Sequence, residues 1–279
     1  MTKPLLEVED LRVRFHLRTG TVEAVRGVSF QLGRERLGIV GESGSGKSQT
    51  GRAILGLTPP PGEVSAKRLT FDGIDLLTAS RRTLRDLRGG RISMVMQDPK
   101  YSLNPVMTIG EQIIEAYRAH ARSASRAEAR DRALAMLEAV KMRDPARVFS
   151  LYPHEVSGGM GQRAMIAMML VTEPDLLIAD EPTSALDVTV SMEVLRILDE
   201  LVSERGMGLI FISHDLKLVS SFCDRVLVMY AGRVVEEVEA KHLREATHPY
   251  TQGLMRCLPT LAEDVRPLPT LNRDPAWAR

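Results

Sequence analysis

Cysteine is nearly absent from this 279-residue chain: Cys223 and Cys257 are far apart and match no metal-ligand spacing. Neither a disulfide framework nor a zinc site is indicated, and a reducing compartment fits. A surplus of one charge is also lacking, since 37 Lys and Arg face 36 Asp and Glu for a formal net charge of +1. Nucleic acid is therefore not an expected partner, because a general binder needs a clustered cationic face. The arginines at 81–91 and 118–132 are interleaved with acids and alanines and read as solvated helix faces. Long apolar runs are missing as well. MIAMMLV at 165–171 falls far short of the roughly 20 residues of a spanning helix, and MTKPLLEVED lacks the pattern of a secretory signal. What remains is ordinary globular composition, 44% apolar and 26% charged, with no internal repeat.

Three short apolar runs organise the chain, at 37–40, 176–179 and 209–212. Each is too short for a helix and does not alternate, as expected of strands buried on both faces. Polar or glycine residues follow each directly: GESGSGKS at 41–48, then Asp180 and Glu181, then Ser213, His214 and Asp215. Open parallel α/β sheets bind ligands beyond the carboxyl ends of their strands, so one site is expected to collect all three sets. Helical stripes follow the first two runs, at Ala53, Ile54 and Leu57 and at Val194, Leu195, Leu198, Leu201 and Val202. Upstream, LEVEDLRVRFHL and TVEAVRGVSFQL alternate about a turn at Thr19 and Gly20, which predicts an antiparallel hairpin. Residues 100–172 are helical by pattern and read as an insertion. After Thr247, prolines at 249, 259, 267, 269 and 275 predict an irregular tail.

GESGSGKS fits G-x-x-x-x-G-K-[ST] between a strand and a helix, the context this motif requires. Its glycines let successive N–H groups face the β- and γ-phosphates, Lys47 adds positive charge, and the Ser48 hydroxyl suits Mg²⁺. Asp180 emerges from its strand where it can reach Mg²⁺ through water, and Glu181 is a candidate to orient and deprotonate a water. Taken alone, Gln97 after ISMVM is an ordinary strand-end amide, and His214 is a capping or core histidine. A second anion device appears in SGGMGQR at 157–163, a serine and two glycines opening a helix.

These six motifs, GESGSGKS, Gln97, SGGMGQR, LLIADEP, SALD and His214, resemble in order and spacing the ATP-binding cassette (ABC) ATPases. The resemblance implies an α/β phosphate-loop NTPase: a mixed sheet core, an N-terminal antiparallel β subdomain and an inserted helical subdomain. The implied boundaries are 1–99 with 173–246 for the ATP-binding core, 100–172 for the helical subdomain and 247–279 for a C-terminal tail. It also implies ATP and Mg²⁺ as cofactors. Glu181, His214 and Gln97 become catalytic, with Gln97 and His214 thereby leaving their bland readings. Phe15, Gly41, Glu42, Ser43, Gly44, Ser45, Gly46, Lys47, Ser48 and Gln49 bind ATP, and Ser48, Gln97 and Asp180 serve the metal. In that family two cassettes close head to tail, so Ser157, Gly158, Gly159 and Asp187 would serve the nucleotide of a neighbouring subunit. This accounts for two anion devices in one chain.

SLNP at 102–105, SALDV at 184–188, VMYAGRVVE at 228–236 and HPYTQGLM at 248–255 further resemble the oligopeptide, dipeptide and nickel importer branch. That likeness implies two transmembrane permease subunits, a second cassette, identical or related, and an external solute-binding protein acting through the permeases. It implies a peripheral position on the cytoplasmic face of the inner membrane and ATP hydrolysis coupled to peptide uptake, with nickel or another small solute as the alternative. The loop after Gln97 and the following helices would meet the permeases. A soluble ABC ATPase acting on nucleic acid or ribosomes is disfavoured, since no sustained heptad pattern or second cassette is present. Gly161 departs from the family pattern, where a basic or polar residue is common, and a helical glycine costs about 1 kcal/mol against alanine. Either packing requires it or the helix is looser. No cysteine cluster accompanies Cys257, so an iron–sulfur cluster is not expected.

Overall fold

The computed structural model describes residues 3–184, 186–257 and 274–278. It divides into two compact units, Met1–Ala79 with Ile210–Arg279, and Ser80–Leu209. In chain order, the first opens with β1 (Leu6–Leu17), β2 (Gly20–Leu32), β3 (Arg36–Val40), α1 (Lys47–Ile54), β4 (Gly62–Ser65), β5 (Arg68–Phe71) and β6 (Ile74–Asp75). The second holds α2 (Arg81–Leu87), β7 (Ile92–Val95), α3 (Pro99–Ser102), α4 (Ile109–His120), α5 (Arg126–Ala139), α6 (Pro145–Ser150), α7 (Gly158–Leu170), β8 (Leu176–Asp180) and α8 (Val188–Arg205). The division falls within β9 (Gly208–Ser213), and the first unit resumes with α9 (Leu216–Phe222), β10 (Arg225–Tyr230), β11 (Arg233–Glu239) and α10 (Pro249–Arg256).

In the first unit, β1 and β2 form the expected antiparallel hairpin, closing at Leu17 and Gly20. Alternation buries Leu6 and Val8, then slips by one residue to bury Leu11 and Val13. A register shift between Val8 and Leu11, with Asp10 at φ 52°, absorbs the slip. One extra residue in a strand restores the apolar face in this way. β4 and β5 also pair with β1, and β5 with β6, completing an antiparallel sheet. A second sheet runs in the order β11-β10-β3-β9. It is mixed: β10 pairs parallel with β3 and antiparallel with β11. β3 is buried after Arg36, as a strand covered on both faces should be.

Two expectations change here. The stripe after β3 ends at Ile54, and Leu57 lies beyond it at 49% exposure. Gly56, at φ 59°, turns the chain out of the helix, an αL position glycine occupies without a Cβ penalty. The tail is not irregular throughout: Pro249–Arg256 is helical, with Pro249 in the first turn and His248 accepting from Tyr250 N–H at 3.2 Å. Proline in a first turn forfeits no helical hydrogen bond. The prolines at 259, 267 and 269 lie outside the described residues.

In the second unit, β7 and β8 are parallel, with Val95 opposite Ala179. Arg91 fastens their starts: its carbonyl accepts from the N–H groups of Asp175 and Leu176, and its Nε donates to Asp175 Oδ2 at 2.8 Å. The predicted helices all form. Thr108 and Glu111 make a reciprocal capping box on α4, and Ser125 caps α5 through Glu128 N–H at 3.1 Å. Ala129, Ala133, Met136 and Leu137 form the buried stripe of α5. On α2, Arg81, Arg82 and Arg85 are exposed, as their interleaved pattern suggested.

Candidate nucleotide and catalytic site

The phosphate loop is built by the switch from β3 to α1. Gly44 and Gly46 lie at φ 82° and 101°, backbone that L side chains rarely adopt. A Cβ on Gly46 would sit 2.4 Å from Ala24 O, so only glycine fits. Within the loop Lys47 is 5% exposed, and its Nζ donates to Gly41 O and Glu42 O, each at 2.9 Å. Ser45 N–H closes on Glu42 O at 3.1 Å. The buried Ser45 Oγ and Gln49 Oε1 have no hydrogen-bond partner, which marks polar capacity beyond what the fold consumes. Ser48 is the second residue of α1. Phe15 lies on β1, half-buried, with Gly62 directly opposite. A Cβ on Gly62 would meet Phe15 Cε1 at 2.8 Å. His214 follows β9 immediately and is exposed, while Ser213 Oγ accepts from Asp215 N–H at 3.0 Å. Asp215 in turn caps α9 through Leu218 N–H at 3.1 Å.

The second unit carries the other predicted residues. Parallel register delivers Gln97 and Glu181 from the same end of β7 and β8, and Gln97 Nε2 donates to Glu181 Oε2 at 3.4 Å. Asp180 is 5% exposed at the end of β8, and Glu181 is partly exposed beside it. Glu181 adopts φ 47°, a left-handed conformation that costs a non-glycine residue about 1–2 kcal/mol. Ser184 holds the turn, donating to Glu181 O from its N–H at 3.2 Å and its Oγ at 3.1 Å.

Ser157 caps α7, its exposed Oγ accepting from Met160 N–H at 3.4 Å. Gly158 is exposed, and a Cβ there would come no closer than 3.9 Å to Leu186 Cδ2. On Gly159 it would meet Val190 Cγ1 at 2.5 Å, so α7 and α8 meet without room for a side chain. Asp187 caps α8 through Val190 N–H at 3.0 Å. Gly161 is different: a Cβ would meet only Pro99 carbons at 3.8 Å, ordinary contact, so packing does not require this glycine.

Sequence reasoning missed Gln162. It is fully buried, and its Nε2 donates to Pro182 O, joining the helix opened by Ser157 to the turn that holds Glu181. A second polar residue beside Arg163, directly after an unexpected glycine and ahead of an apolar run, was the available signal.

A strand–glycine loop–helix phosphate cradle in an α/β unit with a mixed sheet defines a phosphate-loop nucleotide-binding protein. A model of the ABC transporter family matches residues 25–184. The chain is 48% identical over 270 residues to a dipeptide transport ATP-binding protein of Haemophilus influenzae, covering 96% of this chain and 82% of that one. It is 47% identical over 273 residues to an oligopeptide transport ATP-binding protein of Salmonella typhimurium, covering 97% and 81%. Among solved structures, a dimeric post-hydrolysis ATP-binding cassette with bound ADP and Pi superposes with a TM-score of 0.74 at 28% identity, covering 84% of this chain and 98% of that one. The chain belongs to the ABC transporter family, on its ATP-binding side, and it is an ATPase.

Proposed function

We propose that the chain is the ATP-hydrolysing subunit of a peptide importer. The observation that carries this is 47–48% identity, over nearly its whole length, to dipeptide and oligopeptide transport ATP-binding proteins. The segments 1–99 with 173–246 act as the ATP-binding core, 100–172 as the helical part, and 247–279 as the importer-type tail. The loop from 41 to 49 and Lys47 receive the triphosphate, and Phe15 stacks on adenine. Glu181 orients and deprotonates the attacking water, with Gln97 and His214 positioned about the γ-phosphate. Ser48, Gln97 and Asp180 offer hard oxygen donors that suit Mg²⁺, and the ion would lower the charge barrier on the phosphates. Among the described residues no group of three or more His, Cys, Asp and Glu makes a metal cage. Magnesium of this kind is bound chiefly through the nucleotide.

Ser157, Gly158, Gly159 and Asp187 serve the ATP of a second cassette, identical or related. Ser157 and Gly158 support this reading, because they leave an anion-binding helix start open to solvent. ATP then favours the closed pair through interactions the open pair lacks, and this differential affinity drives the permeases.

Two transmembrane permease subunits are the expected partners, with an external solute-binding protein acting through them at the cytoplasmic face of the membrane. No helix among the described residues is long and apolar enough to cross a membrane. The permease surface is the loop before α4. There the buried Gln112 accepts from Asn104 N–H at 2.7 Å and donates to Asn104 O and Met107 O at 3.0 Å each. The clamp presents Val106 at 79% exposure. The test is ATPase activity of the reconstituted complex with its binding protein loaded with di- or oligopeptides or with nickel. Peptide-dependent stimulation supports the reading, while stimulation by nickel alone contradicts it.

A further inference from the structure

We infer that Tyr250, in the C-terminal helix, is a positioning residue for ATP binding: it sets the peptide plane that aims Lys47. The inference rests on the reading of residues 41–48 as the triphosphate site. Tyr250 is fully buried, and its hydroxyl accepts from the N–H of Glu42 at 3.1 Å. That N–H shares a peptide unit with the carbonyl of Gly41, which accepts from Lys47 Nζ at 2.9 Å. A planar trans peptide points its C=O and N–H in opposite directions. Holding the N–H on one side therefore fixes the carbonyl that holds the ammonium on the other.

Gly41 itself supplies little restraint. It lies at φ 151°, and a Cβ would fall 2.1 Å from Met229 O, so no side chain is available to lock the rotation. Tyr250 adds a restraint from outside the loop to those that Lys47 and Ser45 make within it. Tyr250 is in turn held firmly. Its ring packs on Tyr230 with centroids 4.6 Å apart and on Trp277 at 5.9 Å. Glu236 anchors the approach to α10 by accepting from Thr247 N–H at 2.6 Å, Thr247 Oγ1 at 3.2 Å and His248 N–H at 3.1 Å. Burial pushes the Glu236 carboxyl up, but the facing Thr251 hydroxyl and the N–H groups of Thr247 and His248 outweigh it and hold the group below the usual carboxylate range. The anchor therefore remains an anion at neutral pH. The C-terminal segment is thus wired to the first peptide of the phosphate loop, through contacts lying within one unit.

Tyr250→Phe keeps the ring and deletes the acceptor. In the assembled transporter, the Kd and KM for ATP should each rise about five-fold, the equivalent of roughly 1 kcal/mol for one neutral hydrogen bond. The kcat should stay within about two-fold, since the loss falls equally on ground and transition states. Affinity for AMP, which has no β- or γ-phosphate for Lys47 to meet, should not change. Unaltered ATP affinity, or an equal loss for AMP, overturns the inference. Lys47→Ala run in parallel separates the two levels. If it binds ATP like the unchanged chain, the phosphate-site reading falls and takes the inference with it. If it fails to bind while Tyr250→Phe binds normally, only the inference falls. Should Tyr250→Phe fold poorly, hydrogen exchange in the unchanged protein decides: a protected Glu42 amide supports the bond, and exchange at the rate of an open amide refutes it.

Discussion

Gln97 and Glu181 meet through an amide-to-carboxylate hydrogen bond of 3.4 Å, although 84 positions separate them in sequence. The parallel pairing of β7 with β8 produces this meeting, because both residues leave their strands two positions after the Val95–Ala179 pair. An amide beside a carboxylate can hold its orientation without neutralising it. In the role proposed for Glu181 as general base, this bond would orient its carboxylate.

Glu181→Gln replaces that carboxylate with a neutral amide of the same shape. ATP hydrolysis should fall about a hundred- to ten-thousand-fold, the usual contribution of a general base. ATP binding should remain, because the residue lies outside the phosphate loop. Single-turnover kinetics beside equilibrium nucleotide binding checks both halves, and unchanged turnover rules out this base.

Much of this was legible from sequence because the chemistry is local. GESGSGKS, the acids at 180 and 181 and the cap at Ser157 are contiguous signals, and the structure gives each the strand or helix its pattern implied. Contacts between distant segments were not legible. Gln162 to Pro182 and Tyr250 to Glu42 depend on packing that no local period encodes. The short strands β4 to β6 have two to four residues each, too few to establish alternation. Proline density concealed α10, because a proline in the first turn reads as a breaker until its neighbours are known to be helical.

The three glycines that open α7 should respond differently to alanine. Gly161→Ala should stabilise by about 0.4–1 kcal/mol, since the site has room and the unfolded chain loses freedom. Gly159→Ala should destabilise by about 1–3 kcal/mol, the usual cost of overpacking, as Val190 Cγ1 stands in the way. Gly158→Ala should leave stability near that of the unchanged chain but reduce ATPase activity in the assembled pair, where the added methyl would obstruct the partner's phosphate. Thermal unfolding and ATPase assays on the three variants check this ordering.

Val106→Asp tests the permease surface. The side chain is 79% exposed, so the isolated chain should keep its stability and basal ATPase activity. Assembly with the permeases, or stimulation by the loaded binding protein, should fall, because burying an unpaired carboxylate at an interface is unfavourable. Co-purification and stimulated ATPase rates report the effect.

The two thiols should separate under a thiol reagent. Burial pushes the Cys223 thiol far up, with the Asp224 carboxylate adding to the shift, so it carries almost no thiolate at neutral pH. Cys257 is partly exposed. One thiol should therefore react quickly in the native protein and the second only on unfolding, as a timed colorimetric titration with and without denaturant would show.

The most direct measurement is a high-resolution structure of the Glu181→Gln assembly trapped with ATP. The account predicts a γ-phosphate held by Lys47 of one cassette and approached to about 3 Å, hydrogen-bond distance, by the hydroxyl of Ser157 across the junction where that residue faces it. A closed assembly in which Ser157 lies far from every triphosphate would contradict it.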